Sequence, residues 1–214
     1  MTRSFQRILI IGAGGHAKVA ADAVLRQGTH ALAGFVVDDR AVRPDESLFD
    51  APLIHLETLL ARRDDFPRQF IVGIGDNAVR RAKTTWLIAH GFEPVPVIHP
   101  AASIGRGTTC GPGTLVCAGA LLDPDVEIGA GVILNAGAVV THDSRIGDFT
   151  HLAPGATFGG GCVVGSDTFV GMGAIVVPRV RIGNRVFVTA GSMVTEDVPD
   201  SVRVVGRPAR VQVR

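Results

Sequence analysis

Two groups of residues in this chain have the types and spacing to do chemistry. The first is His142-Asp143, with Gly159-Gly160-Gly161 beginning eighteen residues after Thr141. An imidazole next to a carboxylate can act as a general base near neutral pH, the acid favouring the imidazolium that forms. Bare glycine backbone can offer N–H groups to a developing oxyanion. The plain alternative is a solvated turn dipeptide. A further histidine, His151, follows nine residues after His142. The second group is Gly12-Ala13-Gly14-Gly15-His16-Ala17, with Asp38-Asp39 and Gly75-Asp76-Asn77 further along.

The elements around the second group read as strand, glycine loop and helix. Residues 7–11 form a buried apolar run, and residues 18–27 are helix-like. The glycines let backbone approach a pyrophosphate, and a helix N-terminus presents unpaired N–H groups and partial positive charge. A second strand at 32–37 ends in Asp38-Asp39, whose carboxylates can accept hydrogen bonds from a ribose or a base edge. A third at 70–74 ends in Gly75-Asp76-Asn77 and leads into a helix at 78–90. Three or four parallel strands result, with ligand expected at their carboxyl ends. The loop also fits a dinucleotide fingerprint, yet a dinucleotide fold needs two mononucleotide halves, and only one fits before Ile98. A glycine turn serving chain geometry alone is the remaining alternative.

What positions His142 is a repeat. From Ile98 to Val194 an apolar residue returns at every sixth position, seventeen times in register; chance gives this on the order of once in a hundred thousand. Four residues after each comes a small or β-branched one, including Ala102, Thr108, Ala138, Ser144 and Cys162. A six-residue period fits neither an amphipathic helix nor plain strand alternation, so the chain must turn a corner once per hexad. Three sides close an eighteen-residue coil, and coils stack by parallel pairing into a β-helix of between five and six coils. The stacking places Gly160 beside His142. It sends His151 to a different side of the prism, so the two histidines can share a site only across a subunit boundary, as in an oligomer about a threefold axis.

Domain limits follow: residues 1–97 form a Rossmann-like unit, 98–196 the β-helix and 197–214 a closing segment. EPVPVIHP connects the first two as an extended run. After Val194 the hexads stop, and the Gly and Pro of VVGRPARVQ end the regular coil; Arg207 and Arg210 there are candidate phosphate contacts. The chain has 214 residues, with Lys plus Arg 21 against Asp plus Glu 20, for a net charge of +1. This balance argues against a nucleic-acid surface. No apolar run reaches the ~18–20 residues of a membrane span and no signal-peptide pattern is present, so a cytoplasmic protein is expected. Three cysteines give no disulfide framework. Cys110 and Cys162 fall on inward tracks, and Cys117 is expected to face outward. As an acyl-carrying nucleophile Cys117 lacks a neighbouring base. A metal hydratase needs about three histidines at an interface, and the repeat supplies two.

GAGGHAK, the strand ending VVDD, VGIGDNAVR, the hexads, His142-Asp143 and the terminal GRPAR together resemble the hexapeptide-repeat acyltransferases. Within that family they are similar to the bacterial nucleotide-aminosugar N-acetyltransferases and sialic acid O-acetyltransferases. The resemblance implies an α/β half-Rossmann-like domain followed by a left-handed parallel β-helix, in a homotrimer with active sites between subunits. It implies acetyl-CoA as co-substrate, no metal, and a nucleotide-linked aminosugar as acceptor, in polysaccharide biosynthesis. His142 matches the family's base, and Asp143 stands where other members carry Glu. His151 is expected to reach the cofactor side from the neighbouring subunit, with backbone amides of Gly160 and Ala190 near the thioester. Gly14, Gly15, His16, Asp38, Asp39, Gly75 and Asn77 are expected to hold the nucleotide sugar. An O-acetyltransferase acting on a sialic acid, and a sugar-nucleotide-binding protein with an inert β-helix, are the competing functions.

Overall fold

The computed structural model describes residues 5–38 and 40–212; Asp39 lies outside them. In the N-terminal unit, β1 (Gln6–Ile11), β2 (His30–Val37), β4 (Ala51–His55), β5 (Gln69–Val72) and β6 (Glu93–Pro94) run parallel. An antiparallel edge strand, β3 (Ser47–Leu48), completes the order β3-β4-β2-β1-β5-β6. Three of these runs are legible in the sequence. β4 carries Pro52, which weakens its strand pattern. Strand alternation divides the core. Ile8 and Ile10 pack with the alanines of α1 (Gly15–Gln27), whereas Leu9 and Ile11 pack with Leu59 of α2 (Leu56–Ala61) and Leu87 of α3 (Asn77–Ala89). The chain runs outward from β1 through β2 to β4, then returns to β5 on the other side of β1. This reversal opens a crevice at the carboxyl ends of β1 and β5, the usual ligand position in such sheets.

The second unit is a left-handed parallel β-helix. Its two-residue strands form three faces, and paired residues are eighteen apart, as in Leu115↔Ile133 and Val140↔Phe158. Face 1 carries Val97–Ile98 through Phe187–Val188, face 2 Ser103–Ile104 through Met193–Val194, and face 3 Thr109–Cys110 through Arg181–Ile182. The inward hexad residues form one column of buried side chains, with Leu134, Val140, Leu152, Phe158 and Val170 all at 0% exposure. The second track is buried too, and its hydroxyls are satisfied by the next coil: Thr114, Thr150 and Thr168 each donate to a carbonyl at 2.8 Å. Every corner needs one residue in the left-handed region. Glycine fills most of these positions, and Asp125, Asp143 and Asp167 take others at φ of 58–59°.

The coil does not end at Val194. The strand Arg203–Val205 pairs in parallel with Phe187–Val188 and extends face 1, and Arg210–Val211 folds back antiparallel to close it. The last coil is thus two residues short, since Phe187 pairs with Arg203, which breaks the hexad register that sequence patterning detects. Arg207 donates to the Gly191 carbonyl there.

The alanine-rich α1 is small enough to lie between the sheet and face 1. Ala17, Ala20, Ala21 and Val24 join one cluster with Val97, Leu115, Cys117 and Ile133. Cys117 does point out of the prism, but α1 covers it. Cys117 is 2% exposed, and burial pushes the pKa of its thiol up to about 12. It is therefore a packing residue and not the surface thiol expected from the hexad register.

Candidate active site

At the corner between faces 2 and 3, Asp143 adopts φ 59° and turns its carboxylate onto its neighbour. His142 Nδ1 and Asp143 Oδ2 are 2.7 Å apart. A carboxylate accepts only, so Nδ1 donates and Nε2 is left as the accepting nitrogen. Both side chains are exposed, at 64% and 69%. The ring lies over Gly160: a Cβ at that position would sit 2.6 Å from both His142 Cε1 and Nε2. Gly161 N–H bonds the His142 carbonyl at 2.8 Å and Arg179 N–H bonds the Gly160 carbonyl at 2.9 Å, fixing this backbone between coils. Among the described residues, the Gly160 N–H has no hydrogen-bond partner. An accepting ring nitrogen and an unpaired backbone N–H thus neighbour each other at an exposed corner, and acyl transfer can use groups of this kind. Ala190, whose N–H is also unpaired among the described residues, sits on the corner between faces 1 and 2. One chain does not bring it to His142.

The glycine loop forms a second site in the crevice between β1 and β5. A cavity of about 520 Å³ is lined by Gly12 to His16, Val36 to Asp38, Gly73 to Gly75, Val79 and Lys83. Gly14 and Gly15 have no atom within 4 Å of a built Cβ, so both leave open space over the start of α1. Gly14 is the N-cap and no side chain caps this helix, leaving its first N–H groups to a ligand. Gly73 has the opposite function: a Cβ there would meet Ala17 Cα at 2.6 Å, and its absence lets β5 and α1 close together. Lys83 Nζ pairs with Asp38 Oδ2 at 2.5 Å, and both border an apolar annex of about 370 Å³ walled by Leu56, Ala82 and Trp86. Lys83 and Trp86 are not marked out by sequence. Helix α3 is amphipathic on its own account, and only the fold turns these residues toward Asp38.

His151 lies on face 1 and is 7% exposed, wedged against the N-terminal unit of its own chain. Nδ1 is 3.0 Å from the Gly75 carbonyl, and Nε2 is 3.3 Å from Asn135 Nδ2. The carbonyl can only accept and the amide nitrogen only donates, so the ring is the neutral Nδ1–H tautomer. Its centroid is 5.6 Å from that of His16, whose buried Nε2 has no partner. Within one chain the side chain is held by Gly75 and Asn135, and it lines the cavity between α3 and face 1 together with Phe169 and Phe187. Asn77, expected to hold nucleotide sugar, accepts at Oδ1 from Arg80 Nη2 at 2.8 Å and donates from Nδ2 to the Thr168 carbonyl at 3.1 Å, and it lines the same cavity.

Burial lowers the His151 pKa to about 4, reinforced by the Arg80 and His16 charges and opposed by the Gly75 hydrogen bond. Burial, then Arg80, lowers that of His16 too. The unfolded chain therefore takes up a proton on His151 near pH 6.5 that the folded chain refuses until about pH 4. Stability from this neutral histidine is present above pH 6.5 and is lost as the pH falls across that window, by up to about 3 kcal/mol. Thermal melts between pH 7.5 and 4.5 should show a falling Tm, with a shallower fall in His151→Gln. Equal slopes for the two proteins would refute this.

A family model described as the PglD N-terminal domain matches residues 7–87, and one for bacterial transferase hexapeptide repeats matches residues 125–160 and 161–196. A variant of perosamine N-acetyltransferase from Caulobacter crescentus, solved with CoA and GDP-perosamine, is 36% identical with a TM-score of 0.92. That alignment covers 99% of this chain and 99% of that chain. The chain belongs to the PglD and PerB family of hexapeptide-repeat acyltransferases. Another similar structure is the acetyltransferase domain of PglB from Neisseria gonorrhoeae in complex with acetyl coenzyme A. It is 32% identical over 98% of this chain and 100% of that one, with a TM-score of 0.88. WeeI from Acinetobacter baumannii is 26% identical over 97% and 100%, with a TM-score of 0.86. No curated protein sequence matches. As a member of this family the protein is an acetyltransferase, and the inert β-helix is set aside. Among the described residues, no helix is long and apolar enough to cross a membrane.

Proposed function

We propose that this enzyme transfers acetyl from acetyl-CoA to the 4-amino group of a nucleotide-linked 4-amino-4,6-dideoxyhexose, either GDP-perosamine or a UDP-linked aminosugar. The observation that carries the reading is the His142–Asp143 pair lying over Gly160 with a free Nε2. It is supported by similar structures solved with CoA and GDP-perosamine. Residues 1–97 hold the nucleotide sugar, with phosphates at the N-terminus of α1, and Gly14, Gly15, His16, Asp38, Asp39 and Gly75 around the ligand. Residues 98–196 carry the acyl transfer, and 197–214 close the β-helix.

The amine nitrogen attacks the thioester carbonyl carbon, and the carbonyl oxygen takes up negative charge near the Gly160 N–H. His142 Nε2 accepts the amine proton, with Asp143 stabilising the imidazolium. The C–S bond then breaks, and the leaving thiolate takes that proton to become the thiol of CoA. The scheme draws on no metal and no acyl-enzyme. The test is thiol release from acetyl-CoA across a panel of nucleotide-linked aminosugars. Release with one of them and none without acceptor is expected, whereas release only with free sialic acids overturns the reading.

The site is assembled in a homotrimer. On face 1, α1 packs over Leu115, Cys117 and Ile133, and face 3 points Glu127, Arg145 and Arg181 outward. Face 2 points Leu121, Val139, Ile175 and Met193 outward, with Ile175 38% exposed and Met193 36%. A mostly apolar face beside a charged one is the surface to bury about a threefold axis. Its two bordering corners carry His142 with Gly160 and, on the other side, Ala190, so packing face 2 brings one subunit's base toward another's face 1 corner. Ile175→Asp should shift the light-scattering mass from trimer toward monomer, and an unchanged mass would remove face 2 as the interface.

A further inference from the structure

The groups around Gly75 converge on one side chain with no part in the proposed acyl transfer. Arg80, on α3, is 1% exposed, and its guanidinium reaches across the boundary between the two units. Nε donates to the Gly131 carbonyl at 2.7 Å and Nη2 to the Phe149 carbonyl at 2.7 Å, both on β-helix corners. Nη1 donates to the Ile74 and Gly75 carbonyls at 3.2 and 3.1 Å, and Nη2 also reaches Asn77 Oδ1 at 2.8 Å. The Gly75 carbonyl therefore receives Arg80 on one side and the His151 ring on the other. Burial lowers the Arg80 pKa to about 10, so it stays charged at neutral pH. A planar fork with five donors matches this arrangement, and an ammonium does not.

We infer that Arg80 is a positioning residue: it locks the Gly75 loop, which borders the proposed nucleotide-sugar crevice, onto the β-helix and thereby fixes the tautomer and placement of His151 beside that loop. The functional consequence rests on the reading proposed above; the consequence for His151 does not. An interdomain displacement of about 1 Å can lower a rate about 10²-fold. Loss of the fork frees the loop that borders the acceptor while leaving the His142 corner intact.

The experiment compares wild type with Arg80→Lys, which keeps the charge and loses the fork, using ring-15N-labelled histidine. The His151 signals are assigned by their absence in His151→Gln. Wild type is expected to show a single Nδ1–H tautomer for His151, and Arg80→Lys a mixture of tautomers. With the aminosugar acceptor, kcat should fall about 10²-fold while KM for acetyl-CoA stays within about twofold. An unchanged His151 tautomer in a folded Arg80→Lys protein overturns the proposal, whatever the acceptor proves to be. A tautomer change with wild-type kcat overturns the functional half. Should Arg80→Lys fail to fold, Asn77→Ala removes one acceptor of the fork. Unchanged His151 signals in that variant would equally overturn the proposal, and a partial shift would support it.

Discussion

His142→Ala is expected to lower kcat for acetyl transfer about 10²- to 10⁴-fold, the usual contribution of a positioned general base. Acetyl-CoA binding should be close to that of wild type. The side chain is 64% exposed and, among the described residues, its only side-chain hydrogen-bond partner is Asp143, so truncation opens no cavity and leaves no buried group unpaired. His142→Asn should behave alike, because an amide fills similar space and cannot accept the amine proton at neutral pH. Asp143→Asn should retain more activity. Its residue stays compatible with the left-handed corner at φ 59°, and only the negative charge facing the imidazolium is lost. The measurement is thiol release at saturating substrates together with calorimetric acetyl-CoA binding. Normal turnover in His142→Ala would remove it as the base.

Gly160→Ala should lower kcat by about 10²-fold with the fold intact, as expected when a reacting group is displaced by about 1 Å. A Cβ at this position would lie 2.6 Å from His142 Cε1 and Nε2, closer than nonbonded carbon contacts allow. The imidazole is the mobile partner in that clash and has solvent to move into, so strain is relieved by moving the base off the Gly160 N–H. Gly160 is not among the positive-φ glycines, so alanine brings steric displacement without backbone strain. The neighbouring Gly161, at φ 70°, is the control: alanine there should cost stability more than rate. Tm and kcat measured on both variants separate the two effects. A Gly160→Ala enzyme with wild-type kcat would show that the stacking of Gly160 on His142 has no role in turnover.

The β-helix was legible because its rules are local. A six-residue period in one direction, with a glycine or aspartate at most corners, gives every residue a face without reference to anything distant. The same register puts Gly160 under His142. It misjudges residues whose surroundings come from elsewhere in the chain. Cys117 points outward as the register requires, yet α1 covers it. His151 also points outward, and it meets Gly75, seventy-six residues earlier. Asn77, on a glycine-rich loop, bonds through its amide to Arg80 and the Thr168 carbonyl, partners that no local pattern names. Arg80 carries no local mark at all, because its five acceptors are backbone carbonyls and one amide spread from Ile74 to Phe149.

The amino-acid sequence by itself determined the two-part architecture, the three-sided coil, the anion-ready start of α1 and the pairing of His142 with Asp143. Each depends on periodicity or on residues adjacent in the chain. Only the tertiary structure decided how the two units meet: α1 against face 1, Arg80 bridging the boundary, and His151 fixed beside Gly75 and His16. The first is apolar packing, and the other two are buried polar contacts between distant segments. Their partners are chosen by which carbonyls and ring nitrogens the fold strips of water, and no spacing along the chain records that choice.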